Sequence, residues 1–184
     1  MKVDDLEQYS RRTSVRVEGL KYTPGETNEQ LVQLVKNNLA KIDIQLLDSD
    51  IIRLHLSSKP FTRERDGVTV AQTLVKLSNW RMREKLHSAN RLAREKNAGY
   101  RVHHDLTKRR FTLLKNAREK IDRQLARLYS KEELKTLPDG EKIFAFANVN
   151  CELRIRARGR ILKFSTDDQL DQILREIFAV DIIE

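Results

Sequence analysis

The chain has 184 residues, one cysteine and a formal charge of +9, with 36 lysines and arginines against 27 acidic residues. That length allows one or two small domains with their own cores. It excludes an intrachain disulfide and a cysteine-based zinc site, and no apolar run reaches the ~18 residues of a membrane span. The charge excess suits a polyanionic partner, and the polar start carries no secretory pattern. These features point to a protein of the cytoplasm, the nucleus or a virus.

Residues 1–12 read as the end of a helical segment, with Val3 and Leu6 at heptad-like spacing. From Ser14 to Leu20 apolar and polar residues alternate, Val15 and Val17 against Arg16 and Glu18, as in a half-buried strand. Thr27 followed by Gln30 is a capping box, and Leu31, Leu34, Val35 and Leu39 form the apolar stripe of the helix it opens. The stretch DSDIIRLHLS gives a second strand, SKPFTRERDG a polar loop and VAQTLVKL a third strand. Asn79 caps a helix carrying Met82, Leu86, Ala89 and Ala93 on one face, and Tyr100–His104 makes a short fourth strand. The order β-α-β-β-α-β over residues 13–104 is the ferredoxin-like, RNA-recognition-motif-like arrangement of an α+β fold.

Residues 105–184 read as a small α/β C-terminal domain. Asp105 is the expected N-cap of a long helix whose apolar face runs through Leu106, Leu113, Leu114, Ala117, Ile121, Leu125 and Leu128. TLPDGE is a turn, and KIFAFANVN, CELRIRAR and RILKF are short strands. Ser165 or Thr166 caps a final helix, with Asp167 and Asp168 in its first turn favouring the dipole.

Charge is unevenly spread. Residues 91–120 hold ten lysines and arginines, Arg91, Arg94, Lys96, Arg101, Lys108, Arg109 and Arg110 among them, and only three acids. A solvated basic helix face and a nucleic-acid contact both account for this segment. In CELRIRARGR, Arg154, Arg156, Arg158 and Arg160 alternate, so a strand would line them along one side. Like charges so placed call for an anion, and phosphate suits guanidinium best. In the ferredoxin-like arrangement the first strand is central and its outward face is the usual single-strand surface. Arg16 would stand on that face, Lys76 beside it, and Arg11 and Arg12 at its rim.

Enzyme signatures are missing. No G-x-S-x-G, no G-x-x-x-x-G-K-[ST] and no H-E-x-x-H occurs. His103 and His104 are adjacent in a strand and point to opposite faces, so they do not chelate one ion. Cys151 reads as a half-buried structural thiol. Trp80 reads as core packing or a hydrophobic staple in preference to base stacking, and Tyr100 as a nucleic-acid contact in the basic segment. The reading is therefore of a protein with no catalytic residues, no metal and no cofactor.

LEQYSRRTSVRVEGL resembles the coiled-coil-to-domain junction in the first-open-reading-frame proteins of LINE-type retrotransposons, and is similar to the baculovirus few-polyhedra (FP) proteins. TLVKLSNWRMREKLHSA resembles that family's third strand and second helix, HHDLTKRRFTLLKNAREK the segment joining its two domains, and CELRIRARGRILKFSTDDQLDQIL the end of the FP-type C-terminal domain. The resemblance implies an RNA-recognition-motif-like domain and a C-terminal domain that together clamp single-stranded RNA or DNA with little sequence preference. In the retrotransposon members this coats the RNA as a ribonucleoprotein and gives nucleic-acid chaperone behaviour. By position it implicates Arg12, Arg16, Arg63, Arg65, Tyr100, Arg101, Lys108, Arg109 and Arg110. It also implies self-association through an N-terminal coiled coil, of which this chain holds only the last heptad. Gln72, Leu74 and Lys76 stand where the stacking aromatics of an ordinary RNA-recognition motif would be, so binding should rest on phosphates and respond steeply to salt. The alternative is an FP-like viral structural or interaction protein. Its basic cleft would bind acidic protein partners, and its apolar tail EIFAVDIIE would be the docking segment.

Overall fold

The computed structural model describes residues 3–64, 66–96 and 98–179. The chain is a mixed α+β protein. It divides between Asp105 and Leu106 into two compact units, each with its own apolar core.

The first unit begins with α1 (Val3–Ser10) and strand β1 (Ser14–Lys21). Helix α2 (Asn28–Ala40) starts at Thr27, where the capping box forms in full: Thr27 Oγ1 accepts from Gln30 N–H, and Gln30 Oε1 accepts from Thr27 N–H. A single 3₁₀ turn, Asp48–Asp50, leads into β2 (Ile51–Leu56). The loop expected at SKPFTRERDG contains a two-residue strand, β3 (Phe61–Thr62), which pairs with β4 (Thr69–Leu77). Then come α3 (Trp80–Ser88), α4 (Asn90–Glu95) and β5 (Arg101–His104). The antiparallel sheet runs β2-β4-β1-β5, with β3 extending the pairing of β4.

The helix expected from Asn79 to Ala93 is broken at Ala89, and Asn90 supplies the reason. Its side-chain amide accepts from Val102 N–H at 2.7 Å and donates to Val102 C=O at 2.5 Å. Val102 of this edge strand thus has its backbone N–H and C=O satisfied by the start of α4. On the inner face Val15, Val17 and Leu20 of β1, Val75 and Leu77 of β4 and Val102 of β5 pack against Leu31, Val35, Leu39 and Leu86 of the helices.

The second unit opens with α5 (Lys108–Leu128), and its N-cap is Thr107, whose Oγ1 accepts from Arg110 N–H. Asp105, the expected cap, is buried elsewhere as an ion-pair acceptor. A short helix, α6 (Lys131–Thr136), lies in the stretch before the turn, held by a Ser130–Glu133 capping box that the sequence reading passed over. Strands β6 (Phe144–Ala147), β7 (Leu153–Ala157) and β8 (Arg160–Phe164) form an antiparallel sheet in that order. Helix α7 (Asp167–Ala179) is capped by Thr166, whose Oγ1 accepts from Gln169 N–H. Leu113, Leu114, Ala117, Ile121 and Leu125 of α5 and Leu170, Leu174, Ile177 and Phe178 of α7 pack with Ala145, Leu153, Ile155 and Phe164. Each sheet therefore has one face under helices and one face open. No helix among the described residues is long and apolar enough to cross a membrane.

Candidate nucleic-acid interface

Strand parity fixes what each open face presents. In the first unit Val15, Val17, Val75 and Val102 face the core, so Arg16, Glu18, Gln72, Leu74, Lys76, Arg101 and His103 face out. The register aligns them in rows: His55, Leu74, Arg16 and His103 in one, then Gln72, Glu18 and Arg101. Arg53 stands opposite Lys76. Two carboxylates lie among these cations. Glu18 holds His103 at 3.2 Å. Asp105, only 2% exposed, accepts from Arg11 at 3.1 Å and from Arg16 Nε at 3.0 Å.

Arg16 stands on the outward face as expected, but its Nε, like the guanidinium of Arg11, is engaged by an internal carboxylate. Arg11 is the more fully engaged, since it also binds Glu7 at 2.8 Å. Arg16 meets Asp105 through Nε alone. The cause is local: α1 and the end of β5 enclose Asp105, Gln8 donates to its backbone oxygen at 2.9 Å, and a carboxylate so buried needs cations. Arg12 is exposed and lies over the Tyr9 ring at 4.1 Å.

Beside the open face is a groove of about 570 Å³ lined by Glu18, Phe61, Arg63, Arg94, Arg101 and His103. β1 bulges between Glu18 and Leu20 where it lines this groove. Gly19 sits in the bulge at φ +92°, and a Cβ there would stand 2.7 Å from the backbone oxygen of Gly99. No residue but glycine fits. Phe61 is half exposed at the groove; in the sequence its one signal is an aromatic residue within an otherwise polar loop. Arg63 pairs with Asp66 at 3.2 Å. Lys96 is turned to Asp43 at 2.7 Å. Arg94 and Arg101 are exposed. Arg65 and the side chain of Arg91 lie outside the described residues.

Tyr100 is a core residue, which corrects its reading as a contact. It is 4% exposed, its hydroxyl donates to Asn38 C=O at 2.9 Å, and burial pushes its phenol up to about 12. Trp80 is half exposed, which goes against core packing, one of the two structural roles expected for it beside a hydrophobic staple. His103 and His104 diverge as strand geometry requires. His104 turns inward, stacked 3.8 Å on His87, and its Nδ1 accepts from Arg83. Burial, then the charges of Arg83 and His103, brings His87 down to about 4.

In the second unit Lys108 and Arg109 are exposed in the first turn of α5, where no acidic residue answers the helix dipole. Arg110 is structural, donating to Cys151 C=O at 3.1 Å. Cys151 is 3% exposed, fully rather than half buried. The four alternating arginines do not share a side. Arg154 and Arg156 are on the open face. Arg158 (φ +46°) and Gly159 (φ +76°) form the two-residue turn, and Arg160, opposite inward-facing Ala157, has the other parity. The reversal at a tight hairpin breaks the alternation. Nor does Arg154 await an external anion: Glu152 binds it at 2.8 Å and Lys163 at 2.5 Å. Hydrogen bonds from Lys163 and then Arg154 draw the Glu152 carboxyl down to about 2. Of the expected docking tail, Ile177 and Phe178 are buried in the core, and residues 180–184 lie outside the described residues.

Compared with known proteins, the chain matches no protein-family model and no curated protein.

Proposed function

We propose that this chain is a non-enzymatic protein that binds single-stranded nucleic acid, RNA in preference, with weak sequence selectivity. We further propose that its first unit is RNA-recognition-motif-like. The strand order with β1 central and helices on one face supports that reading. The observation that carries the binding proposal is the open face of the first sheet. Arg53, Lys76 and Arg101 stand there without an acidic partner among the described residues, beside a groove that adds Phe61, Arg63 and Arg94. Such a surface holds phosphates along a flexible strand and leaves base identity largely unread. The resemblance to retrotransposon first-reading-frame proteins makes RNA coating and chaperoning, in a cytoplasmic or nuclear ribonucleoprotein, the role we assign. Val3 and Leu6 of α1 are exposed, which supports self-association through that helix.

The test is a fluorescence-anisotropy titration with single-stranded RNA, single-stranded DNA and duplex at two salt concentrations. Single strands should bind more tightly than duplex, and log affinity should fall with log salt by ~0.7 per phosphate contacted. The variant Arg53→Ala/Lys76→Ala/Arg101→Ala should lose about three contacts from that slope, equally for all sequences. An unchanged slope, or a loss confined to one sequence, would refute the assignment of this face.

A further inference from the structure

The open face of the second sheet has a different chemistry. Phe144 and Phe146 of β6 both stand on it, their ring centroids 5.7 Å apart and tilted by 46°. The register sets Phe144 beside Arg156 and Ile161, and Phe146 beside Arg154 and Lys163. Phe144 and Ile161 are 43% and 53% exposed. No helix among the described residues covers this side, because α5 and α7 pack on the residues of opposite parity. An exposed and a half-buried ring side by side on one short strand, neither in the core cluster, have no role in the core. They form an apolar patch bordered by cations, which marks a contact surface.

The charge decides what occupies it. Arg154, Arg156 and Lys163 share the face; Glu152 holds Arg154 and Lys163, and Asp139, held chiefly by Lys142, also feels the charge of Arg156. An apolar peptide would leave those cations desolvated, and an acidic peptide would leave the rings unused. A single-stranded nucleic acid satisfies both, with bases on rings and phosphates on guanidiniums. We propose that this sheet is a base-stacking platform: Phe144 and Phe146 carry bases of the bound strand while Arg156 takes an adjoining phosphate. This rests on the reading of the chain as a nucleic-acid binder and places base contact in the second unit.

The test uses the full chain, oligouridylate, and an abasic oligomer of the same length and backbone. The wild type should prefer the base-bearing strand by about ten-fold or more. Phe144→Leu/Phe146→Leu should lose that preference while its affinity for the abasic strand and its salt slope stay as in the wild type. Photo-cross-linking of a 5-bromouridine strand to the unmodified protein should label the peptide holding residues 144–146, a readout that needs no variant to fold. Equal wild-type affinity for both oligomers, a preference surviving in the variant, or labelling only elsewhere would overturn the platform and leave phosphate binding by the first unit intact. Failure to bind either oligomer would overturn both.

Discussion

The two open sheet faces answer one problem in opposite ways. In the first unit Arg53, Lys76 and Arg101 spread over a polar face, and an exposed ring, Phe61, is set aside in a groove. In the second the rings occupy the face itself, and two of its three cations are already balanced by Glu152. Cations without internal partners interact through long-range, salt-screened forces, whereas rings act at contact and resist salt. On the proposed reading, a molecule holding both surfaces divides attraction from grip. That division is what variants in either unit should expose.

The largest effect belongs to the bulge on which the first face depends. Gly19→Ala brings a methyl group to within 2.7 Å of a backbone oxygen at a φ that L-residues avoid. It should cost about 3 kcal/mol. Because the cores are separate, the loss should appear in hydrogen exchange of β1 and β5 amides and not in those of β7. A loss below ~1 kcal/mol would mean that the bulge can relax.

Asp105→Asn comes next. It leaves Arg11 and Arg16 facing a neutral amide in place of a carboxylate. Both guanidiniums are about one-third exposed, so the cost should be nearer ~2 kcal/mol than the larger values of fully buried pairs. The same change adds one positive charge and releases Arg16 to the first face, and Arg11 in part, since Glu7 still holds it. Affinity for single-stranded RNA at low salt should therefore rise while the melting temperature falls. A fall in affinity below that temperature would show that the two arginines bind only when Asp105 orients them.

Acid should separate the units more gently. His87 binds its proton near 6.5 when unfolded and near 4 when folded, so the first unit loses stability as pH falls from about 6.5 to 4. Glu152 has the usual carboxylate sign: its contribution is complete above about 4.5 and fades as pH falls toward 2. The first unit should thus weaken before the second. His87→Gln should flatten the upper window and Glu152→Gln the lower, as followed by unit-resolved exchange or NMR.

The caps and the apolar faces were legible in the sequence because they are local: Thr27 with Gln30, Asn79, and the leucines of α5 need no distant partner. What escaped needed a partner far along the chain. Asp105 reads as a cap three residues before a helix, and only folding brings Arg11 and Arg16 to it. Tyr100 reads as a ring in a basic stretch, and only α2 shows its hydroxyl spoken for by Asn38. The pair Phe144 and Phe146 reads as ordinary strand hydrophobics, because alternation tells that two residues share a face but not which face the helices cover.

Arg158 carries the smallest effect and the clearest division between fold and ligand. A two-residue hairpin turn with positive φ at both positions favours Asn-Gly, and here it is Arg-Gly. An arginine at φ +46° meets the Cβ crowding that a short amide side chain eases through local hydrogen bonds. Arg158→Asn should therefore raise stability by about 0.5 kcal/mol. If the turn is retained for the strand it borders, the same variant should bind single-stranded RNA more weakly, with about one phosphate fewer in its salt slope. Thermal melts and two-salt titrations of this one protein measure both quantities. A stabilised variant with unchanged binding would mean that the arginine serves no ligand, and that the platform ends at Arg156.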